Sequence, residues 1–208
     1  VQNKSDADNI KVTLGVDAAV IKNAARAVPP RNVKRQAILW VGRSTHFKQP
    51  ELFIKLAAEM KDEQFLMICQ RSNDDPNYDK LMNQALQLTN LEFLTQVPYQ
   101  KISDYFAEAK VLVSTSSAEG FPNVFIQACL AATPIVSLNV NQDNFLNEFK
   151  CGMCVDNDWR EFRKAIKYIG HPEHREVFGR NALRYARGNH DITAVVRQYK
   201  QLFRELAK

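Results

Sequence analysis

Glycine is scarce in this chain, with seven in 208 residues, at positions 15, 42, 120, 152, 170, 179 and 188. No set of them has the spacing of a G-x-G-x-x-G fingerprint or a G-x-x-x-x-G-K-[ST] loop, which excludes the usual dinucleotide and P-loop readings. An apolar leader is also missing. The chain starts Val1-Gln2-Asn3-Lys4 without a methionine, so it is expected to be cut from something longer. Four cysteines without a signal peptide suit a reducing, cytoplasmic compartment. A membrane span is excluded too. The 23 uncharged residues from Gly120 to Gln142 are broken by Pro122 and Pro134 and carry Asn123, Asn139 and Asn141. That run is too polar to cross lipid as a helix.

What is present is ordinary globular composition, 45% hydrophobic and 25% charged, enough for one large domain with its own core. The balance of 28 Lys/Arg against 23 Asp/Glu gives +5. From Arg160 onward there are 12 basic and 5 acidic residues, a balance of +7, so the C-terminal quarter holds all the excess. Two readings of that tail stay open: a solvated helical face, or a surface for phosphates or for the inner face of an anionic membrane. Nucleic acid is not expected as a partner, because no aromatics interleave with these arginines.

Branched apolar runs alternate with helical periodicity. Strands are expected at 37–41, 65–69, 91–94, 111–114, 135–137 and 153–155, with helices at 50–60, 78–88, 102–107 and 122–131. From Trp159 the pattern is helical throughout. Continuous apolar strands separated by helices predict an α/β fold, a Rossmann-like doubly wound parallel sheet with helices on both faces and a helical C-terminal tail. Residues 1–36, with Pro29-Pro30, read as a lead-in or linker, and 37–208 as the domain. Ligands of such sheets bind beyond the carboxyl ends of the strands, where strand order reverses.

Between Val111 and Gln142 the only charged side chain is Glu119. It follows a strand and precedes a helix in Ser116-Ser117-Ala118-Glu119-Gly120-Phe121-Pro122-Asn123. An isolated carboxylate in apolar surroundings needs something specific to hold it. Pro122 suits the first helical position, and the amides of Asn123, Val124 and Phe125 would then face the crevice as an anion site. After the first strand comes Gly42-Arg43-Ser44-Thr45-His46-Phe47-Lys48. Gly42 permits a tight turn, and an arginine fork with a lysine point charge suits a diphosphate.

Gly42-Arg43 with Lys48, then Glu119-Gly120-Phe121-Pro122-Asn123-Val124-Phe125-Ile126-Gln127-Ala128 and Thr133-Pro134, resembles family 4, or group 1, of the retaining glycosyltransferases. The resemblance covers about Ala37 to Lys208, the nucleotide-sugar-binding half of their two-domain GT-B fold; Gly15-Val16-Asp17 resembles the entry to that half. It implies that Arg43 and Lys48 hold the diphosphate of a UDP- or GDP-sugar, without a metal or other cofactor. Glu119 is the implied catalytic residue, contacting the transferred sugar beside backbone at Gly120 and Phe121. Backbone at Gln96 and Val97 would meet the base, and the residue eight positions after Glu119 the ribose. That last residue is Gln127 where the family has glutamate, leaving one amide oxygen and no charge. The implied reaction is sugar transfer with retention to an acceptor, a growing polysaccharide or lipid-linked glycan, which docks on the N-terminal domain. A non-catalytic nucleotide-sugar module and a divergent half with reduced activity are the competing readings.

Two other motifs are decoys. Asp156-Asn157-Asp158 matches a metal-binding D-x-D, but after a final strand it reads as a turn or helix cap. Cys151-Gly152-Met153-Cys154 with His171 and His174 has the wrong spacing for zinc.

Overall fold

A computed structural model describes residues 1–26, 33–73 and 75–207. Eleven-residue α1 (Lys4–Leu14) comes first, followed by β1 (Ala37–Arg43), α2 (Pro50–Glu59), β2 (Gln64–Gln70) and α3 (Tyr78–Leu86). Then come β3 (Leu91–Leu94), α4 (Ile102–Glu108), β4 (Ala109–Ser114), α5 (Asn123–Leu130) and β5 (Ile135–Ser137). The chain continues through α6 (Phe145–Glu148), β6 (Gly152–Cys154), α7 (Trp159–Gly170), α8 (Pro172–Asn189) and α9 (Ile192–Leu206). All strand pairs are parallel, in the order β3-β2-β1-β4-β5-β6. The expected doubly wound sheet is therefore the observed one, with its order reversing between β1 and β4.

Both faces of the sheet are buried, which is why its strands read as unbroken apolar runs. Successive β1 side chains alternate sides. Ile38 and Trp40 join one core with Phe53 and Leu56 of α2, Tyr78 of α3 and Phe162 and Ile166 of α7. Leu39 joins the other with Phe106 of α4, Phe125 and Ile126 of α5 and Tyr185 of α8. Local signals set the helix ends. Asn3 caps α1 by accepting from the Asp6 amide at 2.8 Å, and Gly15 ends it in the left-handed conformation at φ 68°. Asp158 accepts the amides of Arg160 and Glu161, each at 2.9 Å, and so caps α7. The D-x-D run is a helix cap.

The stretch read as a lead-in has more structure than its mixed polarity suggested. The Lys4 and Ser5 amides donate to Asp143 at 3.0 and 3.1 Å, Asn3 is fully buried, and Ala25 bridges to Asp191. The α1 sequence KSDADNIKVTL buries no residue of its own, so no apolar periodicity announces it. Its stability comes from its caps and from Asp143. Pro29-Pro30 lies outside the described residues.

Candidate active site

At the switch point the chain leaves β1 through Arg43 and β4 through Ser114. The loop after β1 closes in a short 3₁₀ turn, His46–Lys48, and Gln49 takes up φ 46° before Pro50 opens α2. Two hydrogen bonds tie that loop to the segment after β4, and a third ties β1 to the same segment. Trp40 Nε1 donates to Thr115 Oγ1 at 3.0 Å, Thr115 Oγ1 donates to the Lys48 carbonyl at 2.7 Å, and the Ser117 amide donates to the Phe47 carbonyl at 2.8 Å. Gly42 has a packing reason: an added Cβ would lie 2.8 Å from the Trp40 indole.

This scaffold brings Lys48 to Glu119. Lys48 Nζ donates to Glu119 Oε1, and their side chains are only 18% and 13% exposed. Ser116 Oγ donates to the same carboxylate oxygen at 2.9 Å, and Gln142 Nε2 donates to the Glu119 carbonyl at 2.7 Å. The isolated carboxylate thus has a cation and a hydroxyl, as burial requires. The Arg43 side chain, at the end of β1, is exposed and makes no hydrogen bond or ion pair among the described residues. Of the two cations at the end of β1 and in the loop after it, Lys48 is engaged and Arg43 is open.

The helix after Glu119 begins one residue later than expected. Pro122 is the N-cap of α5 rather than its first residue, and the Phe125 amide donates to the Pro122 carbonyl at 3.0 Å. The tight first turn thereby uses one of the three amides assigned to the crevice. Those of Asn123 and Val124 have no acceptor among the described residues. Phe121 turns inward, its ring 5.1 Å from Phe145 and 5.2 Å from His190, so it offers the crevice only backbone. Val124 packs against the same core. Asn123 Oδ1 accepts from Asn23 at 2.8 Å, and Gln127 is half-buried in the second turn of α5.

Gln96 and Val97 follow β3, three places from β4 in the sheet and so roughly 14 Å from it. Gln96 lines a cavity of about 590 Å³ with Arg71 and Tyr78, while Val97 leans on the core. His46 lines another cavity of about 740 Å³, between α2 and α3, with Glu51, Ser72 and Lys80. Thr115, Ser116 and Gln142 join the site without standing among the expected residues, although the hydroxyl run Ser114-Thr115-Ser116-Ser117 is a visible signal for the first two. N-terminal residues also lie beside Gly120, where an added Cβ would be 3.9 Å from Asp6 Oδ2 and 4.0 Å from Gln2 Oε1. Among the described residues no group of three His, Cys, Asp or Glu could hold a metal, and no helix is long and apolar enough to cross a membrane.

A Rossmann-like sheet with Glu119 and Lys48 paired beyond its strand ends at the switch point has charged groups where open α/β sheets take their ligands. The chain belongs to the family of glycosyl transferases group 1, whose model matches residues 21–185. Its fold is that of one half of a GT-B glycosyltransferase. Sucrose-phosphate synthase from Thermosynechococcus elongatus is 19% identical with a TM-score of 0.84, over 99% of this chain and 57% of that one. A point mutant of S. aureus TarM, in complex with fondaparinux, alpha-GlcNAc-glycerol and UDP, is 16% identical with a TM-score of 0.83, over 98% and 43%. The pneumococcal O-GlcNAc transferase GtfA, in complex with UDP and GlcNAc, is 11% identical with a TM-score of 0.79, over 100% and 44%. The chain therefore spans about half the length of these structures. Comparison with curated proteins gives no match.

Proposed function

We propose that this chain is the donor-binding half of a retaining glycosyltransferase that takes its sugar from a UDP- or GDP-sugar. The observation carrying this reading is the Lys48–Glu119 pair at the β1/β4 switch point, with Arg43 exposed at the end of β1. In this reading the diphosphate enters between Arg43 and Lys48 and competes with Glu119 for the lysine. Glu119, still held by Ser116, is then released toward the hydroxyls of the sugar. Arg43, Lys48 and the free amides of Asn123 and Val124 oppose the charge that develops as the nucleoside diphosphate leaves. Preorganised donors of this kind stabilise a leaving anion without a metal ion. The base lies toward Gln96 and Val97, and the ribose toward Gln127.

The acceptor, a polysaccharide or lipid-linked glycan, docks on the other half of a two-domain enzyme, since transfer needs both reactants oriented in one cleft. The TarM structure holds alpha-GlcNAc-glycerol and UDP together, which supports a nucleotide and a sugar-bearing molecule as the two kinds of ligand. The free thiols of Cys69, Cys129, Cys151 and Cys154 suit a cytoplasmic enzyme, with the basic tail at the membrane's inner face. Isothermal titration with UDP, GDP and their sugars tests the donor assignment. Micromolar binding of one nucleotide, weakened in Arg43→Ala and Lys48→Ala, is expected; no binding of any of them overturns it. A second reading rests on Gln127, whose neutral side chain holds a ribose less firmly than a carboxylate. It makes the chain a nucleotide-sugar module of low activity, and it is supported if donors bind but the full two-domain enzyme does not turn them over.

A further inference from the structure

At the opposite end of the sheet, where β4 begins, α5 ends and α8 starts, lies a cavity of about 770 Å³. Its cations are Lys34, Arg35, Lys110, Arg175 and Arg180, against the carboxylates Glu63 and Glu176. Glu63 is already paired with Lys110 at 2.8 Å. Four cations therefore face one carboxylate, Glu176, and it makes no ion pair among the described residues.

The two half-buried arginines are held by neutral oxygens. Arg35 Nη1 donates to the Ala109 carbonyl at 2.9 Å and to Thr133 Oγ1 at 2.6 Å, and Nη2 donates to the Ala131 carbonyl at 2.7 Å. Arg175 Nη1 donates to the Gly170 carbonyl at 3.2 Å. Neither has a carboxylate partner among the described residues. Burial, and then the charge of Arg175, push the Arg35 guanidinium down to about 10, and burial lowers Arg175 as well. The wall behind them is rigid, because Gly179 lets α8 approach so closely that an added Cβ would sit 2.3 Å from the Ala132 carbonyl. Half-buried like charges repel unless an anion is shared between them. Guanidinium forks match phosphoryl oxygens, and the volume is that of a small-molecule site rather than of a lone ion.

We propose that this cavity binds a soluble phosphate monoester, with Arg175, Arg180 and Lys34 as the contacting groups and Arg35 as the fixed charge of its floor. The site is distinct from the donor crevice and independent of that reading. The test is a titration of the ¹⁵N-labelled chain with glycerol phosphate at constant ionic strength, with glycerol as the neutral control. Saturable amide shifts are expected at Lys34, Arg35 and from Gly170 to Arg180, with none from glycerol. Arg175→Gln and Arg180→Gln should each weaken binding about tenfold, the loss of a charge-assisted contact, while circular dichroism stays unchanged. Arg35 is left intact, because its bonds hold β4 to α5. Lys48→Ala should leave these shifts in place. Shifts that never saturate, an affinity unchanged in both arginine variants, or loss of the shifts in Lys48→Ala would each overturn the proposal.

Discussion

Lys48 and Glu119, separated by 71 positions in sequence, share a hydrogen-bonded ion pair that ties the loop after β1 to the loop after β4. Ser116 donates to the same carboxylate oxygen, so Glu119 keeps one partner when Lys48 is drawn away. A diphosphate at this site must therefore exchange one anionic partner of Lys48 for another.

That exchange predicts opposite effects for the two halves of the pair. Lys48→Ala should weaken nucleoside diphosphate binding about tenfold, whereas Glu119→Gln should leave it unchanged or strengthen it by freeing the lysine. In urea unfolding each single variant should lose about 1–2 kcal/mol, with a loss for the double variant smaller than the sum. Weaker nucleotide binding by Glu119→Gln would show that the carboxylate does not compete with the ligand.

Thr115 touches no proposed ligand group, yet it accepts from Trp40 and donates to the Lys48 carbonyl. Thr115→Val preserves shape and leaves the buried Trp40 N–H and the Lys48 carbonyl unpaired. The expected cost is about 2 kcal/mol in urea unfolding. Nucleotide affinity should fall by a factor of a few and recover partly in Thr115→Ser. Unchanged affinity in Thr115→Val would mean that the loop after β1 needs no such support.

The donor reading assigns charge stabilisation to Arg43, Lys48 and the start of α5. Addition of a chelator should accordingly leave nucleotide binding unaltered, as measured by calorimetry with and without EDTA. A loss restored by magnesium or manganese would assign that work to a metal ion.

Acid should weaken the fold through His190. This residue is buried, its Nδ1 lies 2.7 Å from the Asn23 carbonyl, and burial lowers its pKa from 6.5, with Lys22 also lowering it and the bond to Asn23 acting against both. Above pH 6.5 the imidazole is neutral in both folded and unfolded chains, so this contribution is complete. As pH falls below that value the unfolded chain takes up a proton that the folded one resists, and stability drops down to the folded pKa. Urea midpoints should thus decline as pH falls below 6.5, and less steeply in His190→Gln. An equal slope in the variant would place the effect elsewhere. Asp143 acts in a lower window. Burial raises its pKa, but the Lys4 and Ser5 amides, the Ser5 hydroxyl and Lys22 together bring it below 3.8. Its contribution is lost only as pH falls from 3.8 toward the folded pKa.

Much of the sheet was legible because strand and helix signals are local. β3 and β5 lie where their apolar runs end, and the other strands differ by a residue or two. α1 was not legible, since its amphipathic pattern is weak and its anchor, Asp143, is far away in sequence. Glu119 stood out by its isolation, and Arg43 and Lys48 by following the first strand. Gln142 carried no such mark, because it donates to a backbone carbonyl 23 positions away.

From Ala37 onward the sequence by itself determined the strands and most of the helices, the parallel layering that follows, and the loops that meet at the switch point. These depend on periodicity and on the handedness of crossovers, which act over short stretches of chain. Tertiary structure decided the rest: that Lys48 pairs with Glu119 while Arg43 stays open, that α5 starts at Asn123, and that Arg35 and Arg175 meet without a carboxylate between them. Such relations depend on distances between side chains remote in sequence, and packing of the sheet and its helices sets those distances.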